Sequence, residues 1–380
     1  MSWPTALESC LFYYFLRGIQ NYSQLSHNFD SMQLKFHKVL LKKKFPLVIS
    51  RGVKGDSFNL FLSYEKNGVT GWGEAAPGKN ENAGSVEEIE SQLNILIAKG
   101  IENNSLEEIN RIAKELSIAP CATAALDIAI WDWKAKKKGL PLQRLLNFPP
   151  PSVPTSITLG INSADVVKDR IPLMLEGTTI KSLKIKLGSP MGIEADQEMF
   201  SQVIESTQKY NIKIRVDANG GWSTSDAIYM MKWLADLGVE YIEQPIEEGK
   251  EEDLKYLFHN RPLPIYIDES CRYAEDVTKW AKYIDGVNMK LMKCGGITEA
   301  LNIIQEAKRH KLKTMIGCMS ESSVSIAAAA AISGVVDHID LDSHYNLNPD
   351  PSSGVKMING VTIPNFVPGH GAFLKPMYYA

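Results

Sequence analysis

The sequence predicts a two-domain protein, in which an α+β domain precedes an α/β barrel of the TIM type. Residues 32–150 read as strands followed by helices, an order typical of α+β domains. After residue 156, short β-rich runs alternate with helical stretches at intervals of 31, 26, 25 and 22 residues. One βα unit has about this length, and eight parallel strands close a barrel. The alternative, an open doubly wound sheet, would need a Gly-x-Gly-x-x-Gly turn after its first strand, and the sequence has none there.

The α+β domain begins with the alternating run MQLKFHKVLL at 32–41 and continues with two strand-like runs within 58–77. A polar Lys-Asn-Gly turn between these two runs favours antiparallel pairing. Three stretches within 86–147 then carry apolar residues at spacings of three and four, the pattern of amphipathic helices. A proline cluster at 148–156 marks the boundary with the barrel.

Eight runs after residue 156 are the predicted barrel strands. They are SITLGI, LKIKL, IKIRVD, EYIEQP, PIYIDE, GVNMKL, KTMIG and HIDLD. Helical stretches such as 195–210 and 298–310 lie between them. The carboxyl ends of barrel strands face the active site, so polar side chains at those positions indicate function.

Composition and charge exclude several classes of protein. A net charge of −3 argues against nucleic acid or an anionic membrane as the main partner, and no segment has the length and apolar character of a membrane span. The five cysteines are odd in number and scattered, which favours reduced thiols in a cytoplasm over a disulfide framework. Residues 1–31 are predicted to be an extension or an upstream start outside the fold, because a first strand begins at Met32. The positive region of a signal peptide is missing, so a secreted protein is the minor alternative.

Three consecutive predicted strands end in an acidic residue, namely Asp217, Glu243 and Asp268. Carboxylates that converge on one barrel mouth repel one another unless a cation lies between them. Hard oxygen ligands with room for water and substrate suit Mg²⁺. One such acid could simply cap the helix that follows it, but three at consecutive strand ends favour a metal site.

Lysines flank these strands in the predicted barrel. Lys184 and Lys186 lie two residues apart on the second strand and therefore share a face, and Lys290 ends the sixth strand. The second and sixth strands of eight stand opposite each other, so two amines would flank a bound substrate. Interior lysines beside a metal are expected to have lowered pKa values, which suits acid and base roles near neutral pH. Lys293 is expected to be a solvated or helix-start residue, since it lies three residues past the strand end.

Several motifs in order along the chain together resemble the enolase superfamily, in its muconate-lactonizing-enzyme-like subgroup. They are GWGEAAP at 71–77, the helical run at 125–146, the Lys-x-Lys strand, VDANGGW at 216–222, IEQP at 242–245, DES at 268–270 and NMKLMKCGGI at 288–297. The resemblance covers about residues 32–380. It implies an α+β capping domain at 32–150, a (β/α)7β barrel at 151–342, and a segment at 343–380 that returns to the capping domain.

The family removes a proton α to a carboxylate and holds the enediolate on Mg²⁺, and lysine bases are known in it. By resemblance, the three carboxylates are the Mg²⁺ ligands and Lys186 and Lys290 are the acid/base groups. Lys184 is then the neighbour that keeps the pKa of Lys186 low.

The last predicted strand points to the substrate class. It carries Asp340-x-Asp342, which closely resembles a motif that holds the dipeptide α-ammonium in dipeptide epimerases. These acids could also be solvated or cap a helix. The run IGCMSESS at 316–323 resembles the seventh-strand motif of the same enzymes, so Cys318 and, on the first strand, Thr158 are expected to line the pocket. A nucleophilic role for Cys318 is unattractive, because no histidine lies nearby in a matching motif.

The expected substrate is a small-molecule dipeptide of the L-Ala-L-Glu type, inverted at its C-terminal α-carbon. Arg51 lies in a capping-domain loop where Ala-Glu epimerases bind the glutamate side chain, although it could instead be a surface residue. Alternatives within the subgroup are an N-acylamino acid racemase and an o-succinylbenzoate synthase. A non-catalytic Mg²⁺-dependent binding protein is a further alternative. The sequence leaves open whether chains associate as a homo-oligomer.

Overall fold

A computed structural model describes residues 32–78 and 82–379, so the predicted extension at 1–31 lies outside the described residues. Within these residues, the capping domain contains five strands and four helices. The strands are β1 (Gln33–Leu41), β2 (Leu47–Ile49), β3 (Gly52–Lys54), β4 (Ser57–Lys66) and β5 (Val69–Ala75). The helices are α1 (Val86–Ile97), α2 (Leu106–Glu115), α3 (Pro120–Lys137) and α4 (Leu142–Leu145).

The main sheet of the capping domain is antiparallel, with the strand order β1-β4-β5. As the polar turn predicts, β4 and β5 form a hairpin whose turn residues Asn67 and Gly68 both have positive φ, the geometry that two-residue hairpin turns prefer. A second antiparallel hairpin, β2–β3, lies in the segment that connects β1 to β4. The sequence analysis did not predict this second hairpin.

Helix α3 lies directly against β5. A side chain at Gly71 would place its Cβ 2.0 Å from the Ala129 carbonyl oxygen, and one at Gly73 would place it 1.9 Å from that of Ala125. The two glycines share one face of the strand, and the two alanines share one face of the helix. The alternating glycines of the GWGE motif therefore bring the helix and the sheet into contact without a layer of side chains between them.

The second domain is a closed parallel barrel, as predicted. Its strands are β6 (Ser156–Leu159), β7 (Ser182–Lys186), β8 (Lys213–Asp217), β9 (Ile242–Glu243), β10 (Ile265–Ile267), β11 (Gly286–Lys290), β12 (Lys313–Gly317) and β13 (His338–Ile339). They pair in sequential order, and a parallel bridge between Thr155 and Ile339 joins the last strand to the first. All eight predicted strands are present.

Each of the first seven barrel strands is followed by one helix, except β11, which is followed by two, and this makes the barrel (β/α)7β. The helices are α5 (Ala164–Leu175), α6 (Ile193–Thr207), α7 (Thr224–Asp236), α8 (Leu254–Asn260), α9 (Ala274–Trp280), α10 (Leu291–Cys294), α11 (Ile297–Arg309) and α12 (Ser323–Ile332). Leu183 and Ile185 of β7 belong to the apolar core between strands and helices, so Lys184 and Lys186 point into the barrel. The core thus lies outside the barrel wall, and the polar site lies inside it.

The chain after the barrel packs against the capping domain. It contains the short strands β14 (Ser352–Ser353), β15 (Val355–Ile358), β16 (Val361–Pro364) and β17 (Phe373–Leu374). Leu347 and Leu374 join an apolar cluster with Phe61 and Trp72 of the capping sheet, and His370 Nε2 donates a hydrogen bond to the Trp72 carbonyl at 2.8 Å. The domain boundaries at 150 and 342 stay predictions.

Short 3₁₀ turns complete the structure, at Ile101–Asn103, Glu251–Asp253, Ala281–Tyr283, Ser333–Val335, Ser343–Asn346 and Pro376–Tyr378. None of the helices in residues 32–78 and 82–379 combines the length and the apolar character that crossing a membrane requires.

Candidate active site

Three carboxylates meet at the carboxyl ends of neighbouring barrel strands. Asp217 ends β8, Glu243 ends β9, and Asp268 follows β10 directly. All three side chains are fully buried, and one oxygen of each lies within 4.8 Å of the others. The sequential parallel order of the strands creates this cluster, because each strand ends beside the next at the same rim of the barrel.

Burial and neighbouring charges act on these carboxylates in opposite directions. Burial, with a contribution from Asp217, raises the pKa of Glu243 to about 8. Burial also acts to raise the pKa values of Asp217 and Asp268, but nearby lysines outweigh it and hold both pKa values below the usual range. Three buried oxygen donors at this spacing fit a hard divalent cation, which would take up the negative charge that they share.

Lys186 and Lys290 reach the cluster from opposite sides, as predicted from the strand count. Lys186 on β7 places its Nζ 2.5 Å from Asp217 Oδ2, and Lys290 on β11 places its Nζ 2.7 Å from Asp268 Oδ2. Both side chains are buried. The three strands between β7 and β11 carry the carboxylates, so the two amines face each other across them.

Lys184 lies one inward-facing position deeper on β7. Its Nζ is 3.0 Å from Glu243 Oε2 and 3.7 Å from Asp217 Oδ2, and it also contacts Asp340. Burial lowers the pKa of Lys184, but these three carboxylates outweigh burial and raise it well above its usual value. Burial and the Asp268 carboxylate act on Lys290 in the same way, and its pKa is raised. In the absence of a metal ion, the shifts of Lys184 and Lys290 are thus opposite in direction to the lowered pKa values expected for lysines beside a metal.

Lys293 is buried, so of the two expectations the solvated residue is wrong, whereas its place in a helix that starts directly after the strand is confirmed. It lies in the short helix α10, which turns inward after β11 and ends at Gly295, where φ is 94°. Its Nζ is 2.5 Å from Asp268 Oδ1 and also donates to the carbonyl oxygens of Asp268 and Cys271. Asp268 therefore has one lysine on each carboxylate oxygen, Lys290 on one and Lys293 on the other.

Asp340 and Asp342 follow β13 on the opposite side of the mouth from β9. Asp340 contacts Lys184 through one oxygen, and its buried Oδ1 has no hydrogen-bond partner among the described residues. Asp342 Oδ2 accepts a hydrogen bond from the Thr158 backbone at 2.6 Å. Burial, followed by the charge of Asp340, raises the pKa of Asp342 to about 6. The two acids thus hold more negative charge than their protein partners neutralise.

Cys318 lies beside the same two acids. Its thiol is 3.3 Å from the Asp340 carbonyl oxygen and 4.0 Å from Asp342 Oδ1. Burial raises the pKa of this thiol well above its usual value, which keeps it protonated and unsuited to nucleophilic attack. The structure therefore brings Thr158, Cys318, Asp340 and Asp342 together at one side of the mouth.

Arg51 lies in the turn of the β2–β3 hairpin, over the other side of the mouth. Its Nη2 is 2.5 Å from Glu269 Oε1, and its Nη1 donates to the Asn219 carbonyl at 2.7 Å. Asn219 lies two residues after one carboxylate of the cluster, and Glu269 directly follows another. The guanidinium is thus at the mouth, as expected, but it is already paired with a protein carboxylate.

The structure adds polar residues that the sequence analysis missed. Asn288 donates to Glu243 Oε1 at 2.7 Å. It lies two residues before Lys290 on the same strand, so the sequence could have predicted that its side chain shares the inward face of that strand. Glu321, in the loop after β12, is buried, and burial raises its pKa to about 8. No sequence pattern distinguished Glu321 or Glu269 from a solvated acid.

Family comparisons agree with this architecture. Residues 31–147 match the family described as mandelate racemase / muconate lactonizing enzyme, N-terminal domain, and residues 167–377 match the enolase C-terminal domain-like family. A hydrophobic dipeptide epimerase from Flavobacteria bacterium (strain MS024-2A) is 62% identical over 92% of this chain and 100% of its own length. One from Roseobacter litoralis is 52% identical over 90% of this chain and 99% of its own length.

A solved structure also points to the dipeptide epimerases. The dipeptide epimerase from Enterococcus faecalis V583, complexed with Mg and the dipeptide L-Leu-L-Tyr, superimposes with a TM-score of 0.81 at 32% identity. The match covers 90% of this chain and 98% of that one. With its capping domain, its (β/α)7β barrel and these relatives over nearly its whole described length, the chain belongs to the enolase superfamily and, within it, to the dipeptide epimerases.

Proposed function

We propose that this protein is a Mg²⁺-dependent dipeptide epimerase that inverts the α-carbon of the C-terminal residue by two-base 1,1-proton transfer. The observation that carries the proposal is the placement of Lys186 and Lys290 on opposite sides of three buried carboxylates. Asp217, Glu243 and Asp268 would hold Mg²⁺, which when bound supplies positive charge next to the substrate carboxylate and thereby acidifies the α-proton.

The lysines carry out the proton transfer. One amine removes the α-proton from its face of the substrate, and the ammonium on the other face delivers a proton to the same carbon. Exchanging these roles gives the reverse reaction, so the equilibrium is reached from either epimer. Lys184, held between Glu243 and Asp340, adds a buried positive charge beneath the reacting carboxylate.

Asp340 and Asp342 recognise the substrate's amino terminus. Asp340 Oδ1 is buried and finds no hydrogen-bond partner within the described part of the chain, and an α-ammonium would supply the missing donor. An N-acyl substrate has no such cation, which argues against the alternative N-acylamino acid racemase. An o-succinylbenzoate synthase substrate lacks it as well, and a non-catalytic binding protein would not need a lysine on each side of the metal site.

A hydrophobic side chain on the dipeptide suits the site better than the acidic one first expected. Arg51, the cation that would receive a glutamate, is engaged by Glu269 at 2.5 Å. The relatives at 62% and 52% identity are both named for hydrophobic dipeptides.

We also propose that the protein acts in the cytoplasm, because no disulfide joins the cysteines within the described residues.

The proposal is tested by comparing L-Ala-L-Leu with its N-acetylated form in the presence of Mg²⁺. Losing a charged partner in a closed site typically costs about 2–5 kcal/mol, so N-acetylation should lower kcat/KM by roughly 30-fold to several thousand-fold. N-succinyl-L-leucine serves as the reference substrate for the racemase alternative. Equal rates for the free and acetylated dipeptides would overturn the epimerase assignment in favour of the racemase.

A further inference from the structure

The two lysines assigned to proton transfer lie at strand ends, so their positions depend on the loops that follow those strands. Lys186 is the last residue of β7, and Lys290 is the last residue of β11. Each amine must stay within reach of one face of a substrate carbon, and a misplacement of about 1 Å can lower a rate by about a hundredfold. In both loops the backbone is held by a buried carboxylate that belongs neither to the metal cluster nor to the acid/base pair.

The loop after Lys290 begins with a closed helical turn. The amides of Gly295 and Gly296 both donate to the Leu291 carbonyl, at 3.1 and 2.9 Å, and so close helix α10 directly after the lysine. The N-cap of the next helix, α11, is Gly296, which has no side chain that could cap the helix. The free amides at the start of α11 therefore need an acceptor from elsewhere in the protein.

Asp127, on helix α3 of the capping domain, supplies that acceptor. Its Oδ1 accepts from Ile297 N at 2.6 Å and from Thr298 N at 3.2 Å. Its Oδ2 accepts from Thr298 Oγ1 at 2.5 Å and from Asn110 Nδ2 at 3.3 Å. Only 1% of Asp127 is exposed. A Cβ at Gly296 would collide with this carboxylate, so the glycine permits the contact. The capping domain thereby fixes the far end of the loop that follows β11.

A second buried carboxylate, Asp196 of α6, holds the chain after Lys186. Its Oδ2 accepts from Gly188 N and its Oδ1 from Ser189 N, each at 2.9 Å. The Trp222 indole N–H also donates to Oδ2 at 2.9 Å. Like its counterpart, Asp196 is 1% exposed. The two lysines thus have separate supports, one from the capping domain and one from the barrel itself.

We propose that Asp127 and Asp196 are positioning residues, Asp127 for Lys290 and Asp196 for Lys186. Each acts through the hydrogen bonds that hold the backbone after its lysine. Asparagine at either position keeps one acceptor oxygen and turns the other into a donor, so the amides lose part of their support. Because the supports are separate, the loss of one should weaken proton transfer at one face of the α-carbon. The inference rests on the proposed epimerase function and deepens it.

The test measures deuterium incorporation from D₂O at the α-carbon of recovered, uninverted dipeptide. L-Ala-L-Leu and L-Ala-D-Leu each present the leucine α-proton to one of the two lysines. Lys186→Ala and Lys290→Ala identify the epimer that each lysine serves. The ratio of the two initial exchange rates then compares the two bases within one protein sample. Partial unfolding lowers both rates and leaves this ratio unchanged, so a merely structural role would not move it.

The two asparagine variants should move the ratio in opposite directions. Asp127→Asn should slow exchange of the epimer served by Lys290 by about fivefold or more relative to the other epimer. Asp196→Asn should slow exchange of the epimer served by Lys186 to a similar extent. If either variant does not fold, Thr298→Ala or Trp222→Phe removes one hydrogen bond to the same carboxylate and should shift the ratio in the same direction.

Asp132→Asn is the matched control. Asp132 is also a fully buried carboxylate of α3. Its two oxygens accept from Trp72 N and His370 N, each at 2.8 Å, and both donors lie outside the barrel. This variant should lose stability but keep the exchange ratio within about twofold of wild type, because its hydrogen bonds hold neither lysine loop.

Equal losses of exchange at both epimers in Asp127→Asn and Asp196→Asn would overturn the positioning roles. A shift of the same size in Asp132→Asn would overturn them as well. If wild type exchanged no dipeptide proton but racemised N-succinyl-leucine, the proposed function would fail, and the same ratio measured on the two N-succinyl-leucine enantiomers would still test the positioning. A protein that exchanged the α-proton of neither substrate class would overturn both proposals.

Discussion

At the scale of single residues, the site is a set of buried charges that neutralise one another only in part. Lys186 and Lys290 each hold one oxygen of a carboxylate that the metal would also use. Because the two amines approach the cluster from β7 and β11, on opposite sides of it, the proposed mechanism assigns one face of the substrate's α-carbon to each. This geometry makes the two lysines chemically distinct, although both are buried and both lie in the barrel.

Replacing either lysine should therefore stop inversion without stopping proton exchange. We expect Lys186→Ala and Lys290→Ala each to lower the epimerisation rate at least about a hundredfold. The remaining base should still exchange the α-proton of one epimer with D₂O, as measured by NMR. Lys213→Ala, at a largely exposed lysine on β8, is the control and should retain full activity. Normal epimerisation by both single variants would contradict the two-base mechanism.

Lys293 illustrates what the sequence could not provide. The three-residue distance from the strand end suggested a solvated or helix-start residue, but it gave no sign that the side chain would contact Asp268. Replacing Lys293 with Met should leave one buried carboxylate oxygen without its cation, at a cost of about 3–5 kcal/mol in the free energy of unfolding. Lys308→Met, on the exposed face of α11, should change it by less than about 0.5 kcal/mol. Urea unfolding measures both, and equal stability of the two variants would argue against a structural ion pair at Lys293.

At the scale of elements, the order and ends of the barrel strands were predictable, and the contacts between domains were not. Strand periodicity and the regular βα interval identified all eight strands, and strand ends identified the carboxylate cluster. The β2–β3 hairpin is too short to show a pattern of its own, and the Arg51–Glu269 pair joins residues 218 positions apart. Such contacts depend on how the capping domain packs against the barrel. Short-range sequence patterns do not determine this packing.

The close contact of β5 with α3 gives a prediction at this scale. A Cβ at Gly73 would lie 1.9 Å from the Ala125 carbonyl oxygen, so the helix would have to move. Gly73→Ala should therefore cost about 3 kcal/mol of unfolding free energy. Gly55→Ala is the control, since a Cβ there meets nothing within 4 Å. Urea unfolding measures the free energy of unfolding of both variants. Equal values would show that helix α3 can move away from β5 at little cost.

At the scale of the whole molecule, buried carboxylates of the capping domain accept hydrogen bonds from the barrel and so hold the two domains together. Glu74 of β5 accepts hydrogen bonds from Ser322 N, at 2.9 Å, and from Ser325 N, at 3.2 Å, at the start of α12. Asp127 of α3 accepts from Ile297 N at 2.6 Å, at the start of α11. Both helices follow strands whose ends line the mouth. The capping domain is thereby held over the proposed site, whose three carboxylates and two lysines lie in the barrel.

The most direct test of this account is deuterium incorporation from D₂O into L-Ala-L-Leu, followed by mass spectrometry and chiral analysis. With Mg²⁺, the L-Ala-D-Leu formed should carry one deuterium at the leucine α-carbon, because the proton is delivered by an amine that exchanges with solvent. In excess chelator both inversion and exchange should stop, and added Mg²⁺ should restore them. Inversion that proceeds unchanged in chelator, or a product that retains its original α-proton, would contradict a metal-assisted two-base epimerase.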